Sequence, residues 1–271
     1  MRTDTQPGGC VVFRDDFGNG EISVGRPNTN AGGRAWSSML LDSPGQSSVA
    51  LVADPAGAEQ FVARFVVPDD GRSFGTEIQH KLFQWGRYRY AVSHYIPSTW
   101  PRFRQDAIIT RWLGHALVGS DGKPRNLHPP IALAVHGLQP HWQLHLYKML
   151  DKDPRRNPLE IHPIRVPLIY DRWNDWVFDI TWSRRDEQGE TITPGLIVLT
   201  LNGERVLRIE GDNNYHQEWP PCFQMGIYKP SWREAERISP ARGNPLVVFQ
   251  KNLVVTRLNV PPHWVAALLL G

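Results

Sequence analysis

Hydrophobicity in this chain repeats every two residues and almost nowhere every three or four. The runs QFVARFVV (60–67), GRYRYAVSHYI (86–96), DAIITRWL (106–113), IALAVHG (131–137) and WQLHLYKM (142–149) alternate apolar and polar positions. So do DWVFDITWS (175–183), GLIVLTLNG (195–203), RVLRIEG (205–211), CFQMGIYK (222–229) and LVVFQKNLVVTRL (246–258). Side chains alternate faces along a strand, so a period of two marks strands with one buried face. Pro, Gly, Asn and Asp punctuate the runs, and Asn202–Gly203 between two of them signals a hairpin. Helices are expected only as short pieces, near 171–174 or 232–237.

This pattern predicts an all-β chain: a jelly-roll sandwich of two antiparallel sheets, concanavalin-like, around one core. A chain of 271 residues fits one such domain spanning 1–271, and neither a linker nor an internal repeat interrupts it. The hydrophobic share, 41%, is enough for a sizeable core. Two segments, 114–130 and 151–171, read as long loops rich in Arg, His, Lys and Pro. They fit either as walls of a groove or as solvated decoration.

Several functions lose support. The net charge is +3 with no polybasic tail, so nucleic acid is not the expected partner, while an acidic ligand is not repelled. No apolar run is long enough to cross a membrane. The opening MRTDTQPGGC has no apolar core of a signal peptide, so location stays open on sequence alone. Cys10 and Cys222 are compatible with one long-range disulfide or with two separate thiols. No Cys-x-x-Cys, His-Glu-x-x-His, nucleophile elbow or phosphate-binding glycine loop occurs, and no metal site or redox cofactor is expected. A structural calcium ion remains compatible, with the turn at 212–215 as its place. The eleven tryptophans divide between core positions and platforms for sugar rings.

CFQMGIYKPSW (222–232) carries the sharpest signal. Phe223, Met225 and Ile227 share one strand face, whereas Gln224, Gly226 and Tyr228 share the other. A polar set lies on this and other strands: Glu77, Gln79, His80, Arg89, Arg111, His115, Tyr228 and Lys229. Closely alternating carboxylates, which a sandwich glycosidase needs, are missing; Asp175 and Asp179 read as edge charges. The set suits a polyuronate lyase better. Such an enzyme removes the proton alpha to a uronate carboxylate, neutralises that carboxylate with Arg, Gln or His, and returns a proton to the departing oxygen. Tyr and His perform both transfers when cations favour the phenolate.

FGTEIQH (74–80), GRYRYAVSHYIPSTWP (86–101), DAIITRW (106–112), RWNDWVFDITWSRRDEQG (172–189) with its LTLNGERV hairpin, and CFQMGIYKPSW together resemble the polysaccharide lyases of the glucuronan-lyase and heparin-lyase-like group. They also resemble the alginate-lyase pattern, whose final K-x-G-x-Y strand supplies a catalytic tyrosine. The resemblance implies a jelly roll that cleaves an acidic polysaccharide by β-elimination, secreted or periplasmic, and a monomer. It makes Tyr228 the catalytic phenol, with Lys229 as its positive neighbour at the groove edge. Arg111 stands where these lyases carry glutamine and Leu113 where they carry histidine, so Arg111 becomes the carboxylate neutraliser and His115 the substitute base. Gln79, Glu77, Arg89 and Lys229 would hold the substrate. His80 points away from Gln79 in a regular strand and is held as an alternative base. The rival readings are a non-catalytic carbohydrate-binding jelly roll, a glycoside hydrolase, and a structural or adhesion protein.

Overall fold

A computed structural model describes residues 9–25, 35–42, 45–82, 84–103, 105–118, 124–125, 127–139, 141–147, 158–233 and 243–258. Two antiparallel sheets face each other. The first runs β17 (Glu204–Glu210), β16 (Leu196–Leu201), β13 (Trp173–Thr181), β6 (Arg87–Tyr95), β19 (Leu246–Leu258), β4 (Phe61–Val67) and β3 (Ser48–Ala53), with β1 (Gly9–Asp15) also paired to β19. The second runs β12 (Leu159–Pro167), β11 (His141–Tyr147), β10 (Ile131–Val135), β7 (Ala107–Leu113), β18 (Cys222–Tyr228), β5 (Gly75–His80) and β2 (Ser38–Leu41). The jelly-roll sandwich expected from the alternation is the fold found.

Aromatic side chains from the inner faces fill the space between the sheets. Trp142 meets Trp176 edge-on at 5.3 Å, Trp112 meets Phe178 at 5.0 Å, and Tyr90 stacks on Phe223 at 5.3 Å. All six rings are essentially inaccessible, so these tryptophans are core and not sugar platforms. Trp182 joins them at 1% exposure.

Three sequence expectations change. The segment read as a loop at 151–171 contains β12, a nine-residue edge strand; 151–157 lies outside the described residues. The other long segment holds a two-stranded pair, Leu117–Val118 with Pro124–Arg125. The helix is one turn at Pro230–Arg233, while Trp173 and Asn174 begin β13. Cys10 is exposed, Cys222 is buried and both are free, so the two do not pair. Among the described residues no helix is long and apolar enough to cross a membrane.

Strand β7 is irregular. Leu133 of β10 pairs with Thr110, but the next residue, Ala134, pairs with Ile108. Two residues of β7 therefore oppose one step of β10, which is a β-bulge. Ala107, Ile109 and Trp112 face the core, whereas Ile108 and Arg111 face outward. Thr110 also turns inward, where its hydroxyl meets His94 Nε2 at 3.2 Å, and Gln250 donates to the Ile109 carbonyl at 3.1 Å. The Gln250 bond meets the carbonyl of Ile109, the residue that the bulge takes out of the ladder.

Candidate active site

The outer face of the second sheet gathers the polar residues. Across four neighbouring strands the register aligns Gln79, Gln224, Arg111 and Ala132, then His145 on β11. The neighbouring row aligns Gly75, Tyr228, Ile108, Ala134 and Gln143. Strands lie about 4.8 Å apart, so the backbones of Arg111 and His145 stand roughly 10 Å apart with only Ala132 between them.

One wall is a tightly bonded chain. Arg111 Nε donates to Gln224 Oε1 at 2.7 Å and its Nη2 to Glu77 Oε2 at 2.5 Å. Gln224 Nε2 donates onward to Gln79 Oε1 at 2.7 Å. Burial pushes the Glu77 carboxyl up, and the Arg111 charge pulls against it. The Arg111 guanidinium sits 4.0 Å over the Tyr228 ring, and that ring packs against a small apolar patch of Ile108, Ala132 and Ala134. Gly75 opposite Tyr228 leaves room for the phenol, since a Cβ there would lie 3.1 Å from Tyr228 Cδ2. Gly226 has φ +139°, and a Cβ on it would stand 2.2 Å from the Thr76 carbonyl oxygen, so only glycine lets β18 close on β5 here.

The other wall comes from β11. His145 Nε2 lies 3.2 Å from Asp106 Oδ2 and 3.4 Å from Gln143 Oε1. Gln143 Nε2 donates to His141 Nε2 at 3.1 Å, and His141 stacks on His136 at 4.6 Å. Asp106 also accepts the Gly137 N–H at 3.3 Å. Burial alone would raise the Asp106 carboxyl, but the His145 contact and the Gly137 N–H outweigh it and hold it below the usual range. With its Nε2–H on Asp106, neutral His145 keeps its lone pair on Nδ1, the form of a general base. Gln143, His145 and Arg111 are 6%, 8% and 8% exposed and Ala132 and Ala134 are fully buried, so these side chains crowd in on the strip of β10 between them, here called the trough.

The sequence-predicted residues divide sharply. Glu77, Gln79, Arg111 and Tyr228 meet on this face. His80 does not: it turns into the core, stacks on Phe13 at 4.0 Å, and burial drives its imidazole down to about 4. Arg89 belongs to the other sheet and forks onto Asp179 at 2.8 and 2.9 Å. His115 lies past the end of β7, with its backbone N–H and carbonyl both tied to the Gln217 side chain. Tyr228 pairs near the start of that strand, roughly 20 Å away at about 3.3 Å per residue. Lys229 is 1% exposed, donates to the carbonyls of Gln105 and Asp106, and lies 4.3 Å over the Phe103 ring. The cation beside the phenol is thus Arg111, and Lys229 fastens the segment that carries Asp106.

Sequence reasoning missed Gln143 and His145. The Gln-x-His spacing sought in β7 stands in β11 as Gln143–Leu144–His145. The alternation of His141, Gln143, His145 and Tyr147 on one face was its sequence signal. The turn at 212–214 is occupied by protein contacts: Asp212 pairs with Arg185, and Asn213 and Asn214 bond Ser183. Among the described residues no group of three His, Cys, Asp or Glu side chains gathers as a metal ligand set.

A protein-family model described as Polysaccharide lyase matches residues 28–244. The chain belongs to the polysaccharide lyase family. Comparison with curated proteins gives no sequence match. Among solved structures, this lyase is similar to the endo-β-1,4-glucuronan lyase of the fungus Trichoderma reesei, with TM-score 0.65 and 12% identity over 84% of this chain and 92% of that one. It is also similar to alginate lyase Aly36B, with TM-score 0.53 and 11% identity over 94% and 99% of the two chains. Alginate lyase vAL-1 from Chlorella virus matches with TM-score 0.50 and 14% identity over 82% and 93%. At these identities the structural likeness carries the fold, and the family match carries the activity: the protein is an enzyme that cleaves a polysaccharide.

Lys229 gives this lyase a measurable pH signature. Burial drops its ammonium to about 7, with Asp106 opposing, against 10.5 in an ordinary lysine. Between those values the unfolded chain binds a proton that the folded chain does not, so stability rises as pH climbs from about 7 toward 10. Thermal melts of wild type and Lys229→Met should show the wild-type midpoint gaining on the variant across that window.

Proposed function

We propose that the lyase cleaves a uronate-containing polysaccharide by β-elimination, with Tyr228 and His145 as the proton-transfer pair. The observation that supports this reading is that β18 and β11 carry them on one sheet face, either side of β7 and β10, with Arg111 and Gln143 beside them. His145 Nδ1 takes the proton from C5 of the uronate. The released electron pair forms the C4–C5 double bond, the bond from C4 to the glycosidic oxygen breaks, and Tyr228 gives its proton to that oxygen. Arg111 favours the phenolate left on Tyr228, and Asp106 favours the imidazolium formed on His145. The carboxylate of the same sugar is met by Gln143 and by the guanidinium N–H groups that Arg111 does not spend on Glu77 and Gln224.

The hydrolase alternative gains nothing from this arrangement. The carboxylates on this face, Glu77 and Asp106, are engaged by Arg111 and His145. Neither is free to attack a sugar carbon or to activate water.

The test is ultraviolet absorbance over time against a panel of glucuronan, alginate, heparin-like and pectic polymers. Elimination leaves a conjugated double bond in the new non-reducing-end sugar, and hydrolysis leaves none. A rising signal with one polymer supports the reading. New reducing ends without that signal would refute it in favour of hydrolysis, and binding without either product would favour a carbohydrate-binding role. Within the active enzyme, Asp106→Asn should lower kcat roughly 100-fold by loosening His145 and unbalancing its tautomer.

A further inference from the structure

Beside the His136–His141 end of the trough lies a cavity of about 170 Å³, lined among others by Trp100, Arg102, His136, Gln139 and Tyr170. Its walls are fixed by backbone contacts. Phe103 N–H donates to the Gly137 carbonyl at 3.0 Å, and a Cβ on Gly137 would come within 2.1 Å of the Phe103 carbonyl oxygen. Opposite, Asp171 N–H donates to the Ile96 carbonyl at 2.9 Å, and Ser98 N–H donates to Asp171 Oδ1 at 2.9 Å. The cavity is therefore built before any ligand arrives.

Its chemistry is that of an anionic sugar site. Arg102 is exposed, and its charge acts on the neighbouring Tyr170 phenol. His136 Nδ1 accepts the N–H groups of Leu138 and Gln139 at 3.2 and 3.0 Å. Its ring proton is then on Nε2, which is left as a donor. The stack onto His141 and the bond from Gln143 to His141 connect the cavity to the reacting row. His141 is two residues along β11 from Gln143, a rise of about 7 Å.

We propose that this cavity is a second uronate subsite of the same lyase, taking a sugar unit further along the polymer from the cleaved bond. The Arg102 guanidinium receives that unit's carboxylate, His136 Nε2–H meets a hydroxyl, and the partly exposed Tyr170 ring lies against the sugar. The assignment rests on the uronate reading of the trough.

The experiment measures calorimetric binding of saturated oligosaccharides of graded length, prepared from the polymer of the panel that gives conjugated product, and of their carboxyl-reduced counterparts, to Tyr228→Phe protein. The same titrations are run with Arg102→Gln or Arg102→Lys added. For oligouronates long enough to reach the cavity, Arg102→Gln should weaken binding about tenfold, as expected for a lost charge-assisted contact. Arg102→Lys should recover part of it, and the carboxyl-reduced chains should not distinguish the variants. Equal weakening of charged and reduced chains, or none at any length, overturns the subsite. A parallel assay of wild type on the same oligouronates and on the whole polymer panel separates the two ideas. Conjugated product with no Arg102 effect leaves the lyase mechanism standing and removes the subsite. No conjugated product from any polyuronate removes both.

Discussion

Tyr228→Phe should abolish formation of conjugated product, lowering kcat by at least about 1,000-fold while the protein keeps its fold. The change removes one oxygen. The ring keeps its packing on Ile108, Ala132 and Ala134 and its place under Arg111, so stability should move little. Proton transfer by a positioned side chain contributes about 100- to 10,000-fold, and in the proposed mechanism the phenol serves the step that releases the leaving group. Substrate affinity, which the proposed mechanism gives to Arg111, Gln143 and their neighbours, should change by far less than kcat. The check is the initial rate of ultraviolet absorbance at saturating polymer, with circular dichroism confirming the sandwich. If the variant retained a tenth of wild-type rate, the proton donor would have to lie elsewhere.

The second large effect falls on stability. Gly226→Ala should destabilise the protein by on the order of 3–5 kcal/mol, for two separable reasons. A φ of +139° is open to glycine and strained for alanine, and the new methyl would overlap the Thr76 carbonyl at 2.2 Å and Glu77 Cα at 2.8 Å. Relief requires β18 to move off β5, which pulls Gln224 and Arg111 away from Gln79 and Glu77. A fall of about 10 °C in the melting midpoint is expected for a chain of this size. Activity should fall beyond the loss of folded protein, because the displaced strand also carries Tyr228. An unchanged midpoint would mean that β18 does not press against β5 at this glycine.

Much of the fold was legible because alternation is a strong signal wherever one face is buried. Every long run with period two became a strand, and the Asn202–Gly203 turn joins β16 to β17. Strand β12 escaped because Pro163 and Pro167 argue against a sheet. Prolines are tolerated there because β12 is an edge. The recognition of a polysaccharide lyase rested on strand motifs and held. Parity works within a regular strand, which is why Glu77 shares a face with Gln79, and Gln224 shares one with Tyr228. Parity fails at the β7 bulge, which sends Ile108 and Arg111 to one face although they are three apart. Lys229 shows a different limit. A lysine following a strand reads as a surface charge, and only its contacts with Phe103, Gln105 and Asp106 make it structural.

The alanines of β10 have a further consequence. The groups proposed for proton transfer and carboxylate binding stand on β18, β7 and β11, and between them runs a strand whose outward side chains are Ala132 and Ala134. Both alanines are fully buried, and the Tyr228 ring packs against them. A larger side chain at either position would lift that ring before it met any sugar. The smallness of β10 is therefore the seat of the phenol, and a change there would be felt on another strand, at the tip of Tyr228.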